Sequence, residues 1–183
     1  MMRMMMRLGV LGALVFGTAF ATVGQRTGIR AVDFGNFAYK FKDYELPQDK
    51  LTLRNGRYKA PGGGIPPIVA ANLVSVAYAD FDRDGQEKAA VQLHVVVSGS
   101  AGSFENYLVF GYRNDEAQEI FRESREQGKR MSVTGRTITF SAPFWRDNDA
   151  HCCPSALATE TYARRGSKFV RVSRRLSPLR TKG

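Results

Sequence analysis

The sequence predicts a mainly β protein: a single antiparallel β domain of about eight to ten short strands, preceded by an N-terminal signal-peptide helix. Three observations carry that prediction. Residues 73–97 alternate apolar and polar side chains on both sides of an Asp-rich turn, which is the period of a strand. Turn signals recur at close spacing along the chain, as antiparallel sheets require. Between Asn36 and Ser173 no apolar stripe keeps the 3.6-residue period of a helix, and nothing repeats at a fixed spacing.

The first segment stands outside that domain. Arg3 and Arg7 precede the uncharged run 8–20, and Ala19-Phe20-Ala21 puts small residues where a signal peptidase cleaves. A basic start, a short apolar run and an A-x-A site specify a signal peptide over 1–21, cleaved near Ala21. The protein is therefore expected to be exported, periplasmic or extracellular. The apolar run is shorter than the roughly 20 residues that cross a bilayer. No later segment is apolar enough to do so, so no transmembrane segment is expected in the mature chain. Residues 22–31 read as a polar linker. With 183 residues, 43% of them hydrophobic, the stretch 32–175 suits one domain with a core and is too short for two.

Taken in order, residues 32–42 carry Phe34, Phe37, Tyr39 and Phe41, an aromatic-rich run that suits an opening strand. Asn55-Gly56, between 51–54 and 57–59, is the strongest two-residue hairpin signal in the chain. The Gly- and Pro-rich segment 60–67 reads as a surface loop. In the central pair Val74, Val76 and Tyr78 are expected on one face of the first strand. Ala89, Val91, Leu93, Val95 and Val97 share a face of the second, opposite Gln92, His94 and Ser98. A small-residue loop, 98–103, leads to a strand over 104–112, which Asn114-Asp115 ends. Residues 117–126 fit a strand or a short helix. Hairpins are expected around Thr134-Gly135-Arg136 and Arg165-Gly166-Ser167, and 176–183 reads as a basic disordered tail.

The formal charge is +10; Arg3 and Arg7 contribute two of it, leaving +8 on the mature chain. Outside the membrane such a surface meets cell-wall polymers and lipid headgroups. These anions, with an unidentified envelope or extracellular ligand, are the expected partners. Of the late cations, which run from Arg164 to Lys182, the last have no aromatics interleaved with them as a single-stranded nucleic-acid platform requires, so nucleic acid is not expected.

Two places could carry chemistry. Asp80-x-Asp82-x-Asp84-Gly85 alternates carboxylates before a glycine bend, the way a calcium loop brings oxygens inward, and Gln86 offers a backbone carbonyl at the next alternate position. The following ligand position holds Lys88, a cation, with Glu87 one residue early. The competing reading is a plain turn, with aspartates bonded to their own backbone. The second place is His151-Cys152-Cys153-Pro154, which holds both cysteines of the chain. At an oxidising address a vicinal disulfide is favoured, with an intermolecular or free state as alternatives. His94 reads as a polar-face residue and Trp145 as core. No nucleophile elbow, metalloprotease pair, P-loop or dinucleotide fingerprint is present.

The run Tyr78-Ala79-Asp80-Phe81-Asp82-Arg83-Asp84-Gly85-Gln86-Glu87-Lys88 resembles the calcium-binding loop of FG-GAP/VCBS repeats, in a single copy and with Lys88 where an acid is usual. Residues 32–37, the Asp-Gly loop, 98–103, Cys152-Cys153-Pro154-Ser155 and the ending 162–170 are similar to exported bacterial proteins of the LppP/LprE lipoprotein type. This chain lacks their lipid-bearing cysteine, and that likeness implies no catalytic residues. The function expected is a non-catalytic envelope or extracellular β module, with calcium as an optional ligand. The rival is a secreted hydrolase drawing on His94, Asp82 and Glu87, or a thiol-redox protein using Cys152 and Cys153.

Overall fold

The structure, a computed structural model, describes residues 27–41, 50–60, 68–98, 102–150 and 152–179. The expected signal peptide at 1–21 and its cleavage site lie outside these. Among the described residues eleven strands form three antiparallel sheets: β1 (Ala38–Lys40), β2 (Lys50–Thr52), β3 (Arg57–Lys59), β4 (Ile68–Ala79), β5 (Lys88–Val97), β6 (Ser103–Arg113), β7 (Glu116–Glu126), β8 (Ser132–Thr134), β9 (Thr137–Phe144), β10 (Ala156–Arg165) and β11 (Lys168–Pro178). The central sheet runs β3-β4-β5-β6-β7, the outer sheet β11-β10-β9-β8, and β1 pairs with β2. Among the described residues no helix is long and apolar enough to cross a membrane.

The central sheet is covered on both faces. On β5 Ala89, Val91, Leu93 and Val95 join Leu108 and Phe110 of β6 in one core, which Ile29, Phe34, Tyr39, Phe41, Leu51 and Leu53 close from the N-terminal side. The alternate residues Ala90, Tyr107 and Val109 face the other way. They pack on Phe81 and on Met131, Ile138, Phe140 and Tyr162 of the outer sheet and its approach. Tyr107 and Phe140 stack at 3.9 Å across that interface. Three layers therefore share the period-two pattern of β5 and β6, whose residues are buried on both sides.

Several expectations need correction. The linker expected at 22–31 overlaps a 3-10 turn, Gly28–Ala31, whose Ile29 is a core residue. The strand expected over 32–42 is broken by a second 3-10 turn, Phe34–Asn36. The Asp33 carboxylate accepts from Gly35 N and Asn36 Nδ2 and so caps that turn, leaving only β1 extended. Asn55-Gly56 does turn the chain with positive φ at both residues, but only Arg54 and Arg57 pair across it. The turn tip is sewn to the Phe34–Asn36 turn instead: Gly56 N donates to Gly35 O at 2.7 Å and Asn55 N to Asn36 Oδ1 at 2.9 Å. The strands on either side consequently diverge into different sheets. Val74 does not share a face with Val76 and Tyr78. It has no partner across a bulge in β4 and is 42% exposed, and Leu73 takes its place in the core row. Residues 117–126 are strand. β11 continues past the expected domain end at 175 to Pro178, so the first residues of the expected tail are paired with β10.

Candidate functional site

The loop between β4 and β5 is built around an aromatic and an ammonium group. Phe81 is buried in the outer core against Phe169, at 5.4 Å between rings, which pins the loop and turns its aspartates away from the core. Arg83 and Gly85 take positive φ, so the chain doubles back within a few residues. Asp80 spends its carboxylate on that bend, accepting from Asp84 N at 3.2 Å and Gly85 N at 2.9 Å. Asp84 Oδ1 accepts from Gln86 N at 2.8 Å.

Lys88, the first residue of β5, is 6% exposed. Its Nζ donates to Asp82 Oδ1 at 2.5 Å, Asp84 Oδ1 at 2.6 Å and Gln86 O at 2.8 Å. One carboxylate oxygen each from Asp80, Asp82 and Asp84 lies within 4.8 Å of the others, close enough to hold a metal ion. Three of the four oxygen donors expected for calcium (Asp82, Asp84 and the Gln86 carbonyl) are directed at the lysine of the same loop. The fourth, Asp80, makes the turn. A cation entering between Asp82 and Asp84 would have to displace an ammonium group already triply bonded there.

The electrostatics agree with that geometry. Hydrogen bonding from Lys88 is the largest influence on Asp84 and, with Gln86 N, lowers its carboxyl pKa to about 2. Burial pulls the Lys88 ammonium down, but the hydrogen bonds and charges of Asp82 and Asp84 outweigh it and leave its pKa raised. Asp82 also faces Arg164 Nε of β10 at 3.1 Å, so the loop ties the central sheet to the outer one. Glu87 turns outward to Arg30, whose Nη2 donates to it at 2.7 Å and whose guanidinium lies over Tyr78.

His94, Asp82 and Glu87 are not brought together. His94 lies six residues along β5 from Lys88, about 20 Å at the rise of a strand. Its Nδ1 meets Glu105 Oε1 at 2.7 Å. Gln92 joins the same group: its Nε2 donates to Glu105 Oε2 at 2.6 Å while its Oε1 accepts from Met131 N at 2.8 Å. Cys152 and Cys153 form an adjacent pair with their sulfurs placed for a vicinal bond, both exposed, on the loop between β9 and β10. Asp149 Oδ2 holds that loop by accepting from Arg146 N, Ser155 N and Ser155 Oγ. His151 lies outside the described residues, and Trp145 is half-buried.

One constellation was not read from the sequence. Glu160, 2% exposed on β10, accepts from Arg125 Nη2 at 2.7 Å, Arg171 Nη1 at 2.7 Å and Arg174 Nε at 2.8 Å. Burial alone would raise its pKa; the arginines outweigh burial and lower it. Its signal was present in 156–162, where Glu160 interrupts the inward row Ala156, Ala158 and Tyr162 just before an Arg-rich strand. No family model, curated protein or solved structure matches the chain.

Proposed function

We propose that this chain is an exported, non-catalytic β module of the cell envelope or extracellular space that binds an anionic ligand, with a calcium-type loop closed by its own lysine. The observation that carries the reading is the Lys88 ammonium seated among Asp82, Asp84 and the Gln86 carbonyl. Those oxygens serve as a clasp between two sheets and are committed to a cation that never dissociates. Calcium is then optional. The basic start, apolar run and Ala19-Phe20-Ala21 support export. The likeness of the Cys152-Cys153-Pro154-Ser155 element to LppP/LprE-type proteins agrees with an envelope address. The cation excess supports a ligand of negative charge.

Thermal melts with calcium and with chelator test the loop, because a ligand that binds only the native state raises its apparent stability. The expected result is one Tm under both conditions. A Tm that climbs with calcium would replace the lysine-closed reading with a metal site. N-terminal sequencing of the secreted protein is expected to begin at Thr22, and an intact Met1 terminus would refute export by cleavage. The exposed placement of Cys152 and Cys153 favours one second reading, a thiol-redox role. It predicts an activity lost in Cys153→Ser.

A further inference from the structure

β11 is hydrogen-bonded on one side only, to β10, and among the described residues no strand lies on its other side. Phe169 packs with Phe81 and Phe121. Beyond it every residue from Val170 to Pro178 is exposed. The strand carries Lys168, Arg171, Arg174 and Arg175 and no carboxylate. It also holds three of the four large hydrophobic side chains exposed among the described residues: Val170 at 39%, Val172 at 45% and Leu176 at 47%. They do not form one patch: Val170 stands across from Ala163 and Leu176 across from the buried Ala158, on opposite faces of the strand, so a chain that covers all three must lie along its edge. Two of the arginines are held in place from below, since Glu160 fixes Arg171 and Arg174 while 42% and 37% of those side chains stay open to solvent.

We propose that the free edge of β11 is a strand-addition site for an extended, acidic segment of a partner protein. The proposal narrows the binding-module reading above and rests on it. An edge strand offers a row of unpaired backbone N–H and C=O groups, and a chain laid along it gains main-chain hydrogen bonds plus alternate side-chain contacts. Carboxylates across from Arg171, Arg174 and Arg175 supply opposite-charge pairs, and apolar residues cover Val170, Val172 and Leu176. A second copy of this chain is disfavoured, because β11 against β11 would set arginines on arginines. The N-terminal segment 1–26 is disfavoured for the same reason, having arginines and no carboxylate. A phosphate polymer or a headgroup surface would meet the charge but leave the backbone edge and the apolar side chains unused.

The test uses the purified protein and a short labelled extended peptide of glutamates and valines, with two adjacent glutamates to meet Arg174 and Arg175. The peptide is expected to bind, to slow amide exchange across 170–177, and to weaken about tenfold when its alternate backbone nitrogens are methylated. Arg175→Glu is expected to weaken binding to a similar degree. Arg175 pairs with Thr159, on the face opposite Glu160, so the variant keeps its Tm and reports binding rather than folding. Equal binding of the methylated peptide, or protection elsewhere than β11, overturns strand addition. Binding of anionic vesicles or cell-wall polymer without the peptide overturns it too, while leaving the module reading intact. Failure of peptide, vesicles and polymer alike overturns both.

Discussion

Lys88 shows how one side chain can convert a metal-type loop into a covalently tethered clasp. Its ammonium is buried, which costs free energy unless every N–H finds an acceptor, and here all three do. Lys88→Met keeps an unbranched side chain one atom shorter and removes the charge, leaving Asp82 and Asp84 facing each other. Both carboxylates keep contact with water, so the cost is discounted to about 1–3 kcal/mol. That corresponds to a Tm drop of roughly 2–10 °C in a chain of this size, read by calorimetry. The variant's Tm is expected to recover with added calcium, since the vacated oxygens then need a cation. Glu160 is the harsher case. Glu160→Gln leaves Arg125, Arg171 and Arg174 converging on a neutral amide, and breaking such a buried pair costs about 3 kcal/mol, measured by urea unfolding. Gly128 is tied down differently: a Cβ there would come within 2.5 Å of the Tyr107 hydroxyl and 2.8 Å of Glu105 Cβ. Overpacking of that kind is expected to destabilise Gly128→Ala by about 1–3 kcal/mol.

Among the elements, those legible in the sequence are those specified by local chemistry. The Asn55-Gly56 and Asn114-Asp115 turns were readable because few other residues accept positive φ there. β5 and β6 were readable because both are runs rich in β-branched or aromatic residues and bounded by turn signals. β4 was read one residue out of phase before its bulge, because an extra residue leaves no mark in an alternating pattern; only the pairing of Leu73 with Leu93 and Ser75 with Gln92 reveals it. The consequence is measurable. Val74→Ser is expected to fall within about ±0.5 kcal/mol of the parent, while Val76→Ser, against the first core, costs about 1–2 kcal/mol. Equal losses at the two positions in urea unfolding would restore the unbulged register. The turn at Phe34–Asn36 was hidden for another reason. Its aromatics suit a strand, and the Asp33 cap competes with that propensity only once Gly35 and Asn36 are seen within its reach.

Across the whole molecule the three layers were not legible, because which face of a sheet meets which neighbour depends on contacts far apart in sequence. Ala90 lies on the face of β5 that also carries Gln92 and His94, and it is core only because Tyr107 and the outer-sheet Phe140 join it in one cluster. The ionic pairs across those layers make stability a function of pH, and the sign follows from the shifts. Asp84 and Glu160 have lowered pKa values, so they add stability above the ordinary carboxylate range and lose it as pH falls through their folded values. Lys88 is raised, and so are Tyr39 and Tyr107 by burial; their contribution is complete below about pH 10 and is lost above it. Urea midpoints are therefore expected to hold a plateau through neutral pH, to fall below about pH 4, and to fall again above about pH 10. The Lys88→Met variant isolates the clasp within that curve. At neutral pH it is the weaker protein, but as pH drops towards 2 its gap to the parent narrows, because protonation of Asp84 takes away one of the two carboxylates that hold Lys88. A gap that stays constant from pH 7 to the acid limb would show that Lys88 stabilises through its aliphatic chain instead of its charge.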